Sequence, residues 1–172
     1  SSVFLHHYLK KEFRISLVAI EPFAENIEIL KMNFIENQLS EYTIENAGLY
    51  NKTCFLDIIK DFRDGKDWSI QVLEVDHETP LKAIQVVEII EKKNWHTIDF
   101  FKMDIEGAER FLFNDSIYAS EFLHKIKRIA IEIHHEYNIK EQVYKCVREN
   151  NFQLVEHGEL VIGLNRDYLF KN

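Results

Sequence analysis

The sequence predicts an α/β fold, a sheet of mainly parallel strands with helices on both faces. Three observations predict it. Short apolar runs rich in β-branched residues alternate with amphipathic segments, the order expected of strand–helix–strand units. The first run, Leu17-Val18-Ala19-Ile20, is apolar throughout rather than alternating, as in a strand buried on both faces. Gly (5) and Pro (2) are scarce among 172 residues, which leaves little sequence for linkers or low-complexity segments.

Residues 1 to 10 read as a helix with Val3, Phe4 and Tyr8 or Leu9 facing a sheet. The 17–20 strand stops at Glu21-Pro22, because proline cannot donate to a ladder. Ile27, Leu30, Phe34 and Ile35 then fall at helical spacing between Ala24 and Asn37. Tyr42 to Ala47 and Cys54 to Ile59 are strand candidates. Asp61 to Asp67 holds five charged residues and one Gly, and reads as a solvated loop. Ser69 to Val75 reads as a strand, and Pro80 as the first turn of a helix running to about Lys93. Ile98 to Ile105 is a strongly apolar strand interrupted by Lys102 and Asp104. Glu106 to Phe113 begins a helix with two Glu at its positive end. Ile126 to His134 is another strand, and Ile139 to Asn150 a helix with Val143, Cys146 and Val147 on one face. Phe152 to Glu156 and Glu159 to Leu164 form a hairpin about Gly158. No repeat of 20 to 50 residues is present, and the length fits a single domain spanning 1–172.

Composition narrows the function classes. Hydrophobic residues make up 46% and charged residues 29%, enough for a sizeable core. Asp plus Glu is 29 against 21 Lys plus Arg, a net charge of −8 with no basic block. Nucleic acids and anionic membranes need clustered cations, so neither is an expected partner. No apolar run approaches a membrane-spanning length, and no signal peptide is recognisable. Cys54 and Cys146 make no disulfide framework, and a reducing, cytoplasmic compartment is the default, with both thiols buried as small apolar groups.

Glu21 ends an apolar strand. In doubly wound nucleotide-binding sheets an acid there bonds a ribose, about 20 residues after the glycine-rich loop of the preceding strand. No G-x-G occurs in the first 40 residues. The spacing therefore places that strand and loop at or before residue 1, so the chain is expected to lack its N-terminal part. Loss of a central strand would expose the edges of its neighbours and favour self-association.

The segment Lys102-Met103-Asp104-Ile105-Glu106-Gly107-Ala108-Glu109 follows the most apolar strand. Ligands in open α/β sheets bind outside the carboxyl ends of strands, where Asp104 would sit. Asp104 could act as a general base, or position a substrate or cofactor amine. Glu106 and Glu109 could equally be ordinary acids of a helix N-terminus. In Glu132-Ile133-His134 the two polar side chains share a strand face at the same sheet end. His134 beside carboxylates suits a general base, against the reading of a half-buried, hydrogen-bonded histidine. Asp104, Glu132 and His134 could also hold a divalent cation, but no H-x-H or H-x-x-x-H spacing supports a metal. At Asn46-Ala47-Gly48 an adenine ring could lie against the backbone, although Asn at a strand end is also a common turn residue.

Taken together, Val18 to Phe23, Glu25-Asn26, Leu30, Asn33, Asn37 and Asn46-Ala47-Gly48 resemble the FkbM family of S-adenosylmethionine-dependent methyltransferases. The octapeptide 102–109 resembles that family's K-x-D-x-E-G-x-E signature, and Glu132-Ile133-His134 its late E-x-H. The resemblance covers roughly residues 15 to 135. It implies a Rossmann-like class I methyltransferase sheet, here without its first strand and glycine loop. It also implies methyl transfer from S-adenosylmethionine to oxygen on a sugar, glycan or natural product. By position, Glu21 would hold the ribose, with Pro22 also binding the cofactor, Asn46 and Ala47 would flank the adenine, and Asp104 would lie near the methionine end. Glu132 and His134 would face the acceptor, with Glu106 beside them. The chain departs from the pattern in lacking the glycine loop. It departs also at Val75-Asp76, where Leu-Asp before a helix is usual, and in the extra stretch through His77, Glu78 and Pro80. The rival readings are a non-catalytic partner-binding module of the same fold and a fragment of a nucleotide-dependent oxidoreductase. The acidic octapeptide argues against the latter.

Overall fold

A computed structural model describes residues 2–60, 70–105, 107–133, 138–158 and 160–169. Helix α1 (Ser2–Leu9) leads into β1 (Leu17–Ile20), α2 (Ala24–Glu36), β2 (Tyr42–Glu45) and β3 (Ala47–Leu49). Then come β4 (Phe55–Lys60), β5 (Ile70–Val75), β6 (Lys82–Ile84) and α3 (Val86–Lys92). The chain continues through β7 (Phe101–Met103), α4 (Glu109–Phe113), α5 (Ser116–Leu123), β8 (Arg128–Glu132), α6 (Lys140–Glu149), β9 (Phe152–His157) and β10 (Leu160–Asn165). The fold is mixed α/β.

The described strands form three sheets. In the first, β1 pairs in parallel with β2, Leu17 opposite Tyr42 through Ile20 opposite Glu45. The second has the order β3-β6-β4-β5, and the third β7-β8-β10-β9. β7 and β8 run parallel, whereas β10 is antiparallel to both β8 and β9. An isolated parallel bridge, Ile98 to Ile126, extends the β7–β8 pairing toward its start.

Two cores organise these sheets. The larger gathers Met103, Leu112, Phe122, Ile129, Ile131 and Val147, among others, and Val18 and Ile20 of β1 pack against it. The smaller holds Tyr50, Leu56, Val72, Leu81, Ala83 and Ala108. Ile105, just past β7, packs against both. Tyr118 of α5 ties the two together. It is 6% exposed, its hydroxyl donates to the Tyr50 carbonyl at 3.2 Å, and it accepts from the Val86 N–H at 3.2 Å. Burial pushes this phenol up to about 12.

Several expectations are corrected by this arrangement. The Tyr42–Ala47 strand is two strands in different sheets, divided at Asn46. β2 stays beside β1, whereas β3 crosses to pair in parallel with β6. Gly48 permits the crossing. A Cβ there would lie 2.4 Å from Leu56 Cδ1, and Leu56 is fully buried. Pro80 does not open a helix. It precedes strand β6, and α3 starts at Val86 behind Gln85, whose N–H donates to the Glu88 carboxylate at 2.8 Å. Phe4 and Tyr8 of α1 do not face a sheet, being 72% and 69% exposed and stacked on each other. His6 is the buried side chain of that helix. On α2, Ile27 and Phe34 are buried as the spacing predicts, but Ile35 faces solvent. β1 is half-buried along its whole length rather than enclosed. Cys146 is buried, as expected, and Cys54 only partly so. The loop 61–67 lies outside the described residues. Among the described residues no helix is long and apolar enough to cross a membrane.

Candidate functional site

Chemistry-bearing side chains collect where the parallel strands end. The first group lies after β1 and β2. The Glu21 N–H donates to the Glu45 carbonyl at 3.1 Å, so the ladder carries one residue past β1 before Pro22 stops it. The Glu21 carboxylate then folds toward the start of α2. Its Oε1 accepts from the Phe23 N–H at 3.0 Å and from Asn26 Nδ2 at 3.3 Å. These bonds satisfy a donor at the helix start and fix the rotamer. Both bonds fall on Oε1.

Asn46 fastens this corner. Its Nδ2 donates to the carbonyls of Glu21 and Pro22, at 3.2 and 3.1 Å, across more than 20 residues of chain. With the amide nitrogen committed, Asn46 Oδ1 is left as an acceptor. A cavity of about 240 Å³ opens beside it. Pro22, Phe23 and Asn46 line one side, and Asp57, Ile58 and Pro80 the other. The lining mixes apolar residues such as Phe23, Leu56, Ile58 and Leu81 with the polar Glu25, Asn46, Asp57 and Thr79. The walls owe their spacing to Thr79, whose hydroxyl donates toward the carbonyls of Leu56 and Leu81 at 2.7 and 2.9 Å. The unusual stretch through His77, Glu78 and Pro80 therefore has a use: it turns the chain from β5 into β6 and forms a wall of the cavity. Ala47 is 6% exposed within β3 and is not part of the lining.

The second group lies after β7 and β8. Lys102 and Asp104 are two residues apart, so they emerge on one face, and Lys102 Nζ reaches Asp104 Oδ2 at 2.8 Å. Both are only partly covered, so the pair orients Asp104 more than it stabilises the fold. Register sets Lys102 opposite Ala130 and Met103 opposite Ile131. Asp104 follows Met103 as Glu132 follows Ile131, and Glu132 sits at the end of β8, opposite Leu160 of β10. The parallel pairing of β7 and β8 thus brings Asp104 and Glu132 to one end of one sheet. Glu106 and His134 lie outside the described residues. Among the described residues, no three His, Cys, Asp or Glu side chains gather as a metal site would require.

Sequence reasoning missed Phe23, Asp57, Thr79 and Pro80, which reach the cavity through tertiary pairing that no local pattern announces. It passed over Lys102 as a partner of Asp104, although period-two spacing on one strand was signal enough.

Fold and site define a class. This is a mixed α/β domain with carboxylates at the carboxyl ends of parallel strands. The chain matches the methyltransferase FkbM domain over residues 1–161, and it belongs to that family of methyltransferases. No curated protein matches the chain. No solved structure matches it.

Proposed function

We propose that this chain is an S-adenosylmethionine-dependent O-methyltransferase domain acting on a hydroxyl of a sugar, glycan or natural product. The observation that carries the reading is Glu21. Its carboxylate stands at the end of a parallel strand and is anchored to the start of α2 through Oε1, and the next residue, Pro22, lines a cavity of about 240 Å³. That is the arrangement a ribose diol next to a purine requires. The residues present fit the cofactor. Glu21 would accept from the ribose, and Pro22, Phe23 and Asn46 Oδ1 would meet the adenine. Bound S-adenosylmethionine supplies an electrophilic methyl group.

The chain's own residues align the acceptor and move its proton. Asp104, held by Lys102, takes the cofactor's amino-acid end. By the family resemblance, Glu132, His134 and Glu106 serve the acceptor, and His134 takes its hydroxyl proton. We also propose that a further parallel strand, carrying a glycine-rich loop, completes a Rossmann-like sheet between β1 and β7. In support, β1 is paired only with β2 and β7 only with β8 among the described residues, yet side chains of both strands pack into one core.

The test is calorimetric titration of S-adenosylhomocysteine into the chain, with Glu21→Ala as control. Binding that the substitution abolishes is expected. Binding that survives it intact, or a preference for a nicotinamide dinucleotide, would overturn the reading.

A further inference from the structure

Glu109 stands apart from the chain's other acids. It is 0% exposed, the one fully buried carboxylate among the described residues. Taking a carboxylate out of water is costly, and an apolar residue of similar volume would fill the space without that cost. Glu109 begins α4.

Its geometry points back into the preceding turn. Glu109 Oε1 accepts from the Ile105 N–H in a long bond of 3.4 Å. Between them the chain reverses through Gly107, whose φ of 88° lies in the left-handed region that glycine tolerates. Ile105 is the residue that packs against both cores. Asp104 precedes it, with its carboxylate on Lys102. Asp104 is therefore held twice, at the side chain by Lys102 and through the adjoining backbone by Glu109.

We propose that Glu109 is a positioning residue: its buried carboxylate locks the 105–109 turn and so aims Asp104 at the amino-acid end of the cofactor. This rests on the methyltransferase reading and deepens it. Loosening the turn then weakens ligands that carry the amino-acid end and spares those that lack it.

The experiment compares S-adenosylhomocysteine with adenosine by calorimetry on the folded chain and on Glu109→Ala, Glu109→Gln, Asp104→Ala and the Glu109→Ala/Asp104→Ala double variant. Glu109→Ala is expected to weaken S-adenosylhomocysteine about ten-fold and to leave adenosine within about two-fold. Gln keeps an acceptor oxygen and should restore most of the loss. The double variant should be no weaker than Asp104→Ala alone, because both changes act through one group. Additive losses, or equal weakening of both ligands, would overturn the proposal. A second measurement needs no variant. The Ile105 amide should exchange with solvent far more slowly than a turn amide, and rapid exchange in the unaltered chain would sink the idea. If the unaltered chain binds neither ligand, the methyltransferase reading itself fails and this proposal goes with it. If it binds both and Glu109→Ala changes nothing, the positioning role alone fails.

Discussion

Replacing Tyr118 by Phe removes one oxygen and leaves two buried groups without a partner. The hydroxyl accepts from the Val86 N–H and donates to the Tyr50 carbonyl, each at 3.2 Å. Val86 is 1% exposed, Tyr50 4% and Tyr118 6%, so little water can replace the lost bonds. An unsatisfied buried donor or acceptor costs about 1–3 kcal/mol. Two such groups, set against a small gain in hydrophobicity, predict a loss of about 3 kcal/mol. For a chain of 172 residues that lowers the melting temperature by about 6–12 °C. The pH dependence supplies a sharper signature. Burial raises the native phenol from 10.0 to about 12, whereas the unfolded chain ionises near the ordinary value. The unfolded state therefore loses its proton first. The stabilisation from Tyr118 is complete below pH 10 and drains away as pH rises from 10 toward 12. Between pH 9 and pH 11 the advantage of the tyrosine protein over the phenylalanine variant should shrink by about 1 kcal/mol. Urea denaturation of both proteins at the two pH values measures this. The raised phenols of Tyr50 and Tyr144 are common to both and cancel. A difference under about 0.5 kcal/mol at pH 9 would refute the pinning role assigned to the hydroxyl, since that is the size of an ordinary surface change. A difference that does not change with pH would refute the buried, protonated state.

Other outcomes follow from the same geometry. Gly48→Ala should cost about 1–3 kcal/mol in urea denaturation, because its Cβ would stand 2.4 Å from Leu56 Cδ1. Pairing it with Leu56→Val should cost less than the two single changes summed. Asn46→Asp should weaken S-adenosylhomocysteine more than Asn46→Ala does, since a carboxylate would face the carbonyls of Glu21 and Pro22 that the amide now serves. Cys54 should react with a thiol reagent in the native protein. Cys146, 5% exposed with its thiol pushed up to about 11 by burial, should react only on unfolding, and equal native rates would contradict that placement.

The sequence made legible what local pattern encodes. β1, α2, β4, α6 and the β9–β10 hairpin announce themselves by apolar runs, helical spacing or a glycine turn. What it hid depends on partners distant in the chain. The change of sheet at Asn46 rests on bonds to residues more than 20 positions away. β6 has only three residues, held by β3 on one side and β4 on the other, and Pro80 before it imitates a helix start. α5 went unread, although Asp115 caps it by accepting from the N–H groups of Ile117 and Tyr118. That cap, followed by apolar residues at 118, 119, 122 and 123, was a usable signal. Phe4 and Tyr8 misled because apolar periodicity identifies a helical face and cannot say whether anything covers it. For the candidate site, the strand-end acids could be read directly, whereas the cavity walls could not, because a wall belongs to the packing of two sheets.

The octapeptide 102–109 owes its composition to where it lies. Its first half completes β7 and presents Lys102 and Asp104 at the strand end. Further along, Ala108 belongs to the smaller core, and Glu109 is fully buried. The turn between them packs on both cores through Ile105. An acid exposed at the sheet's end is thus joined, within five residues, to the contact between the two cores. The smaller core contains Leu56 and Leu81, which also border the cavity beside Asn46. The cavity wall and the turn after β7 therefore share one core, through Leu56, Leu81 and Ile105. An exposed Asp104 and a buried Glu109, five residues apart, thus belong to one connected stretch of chain.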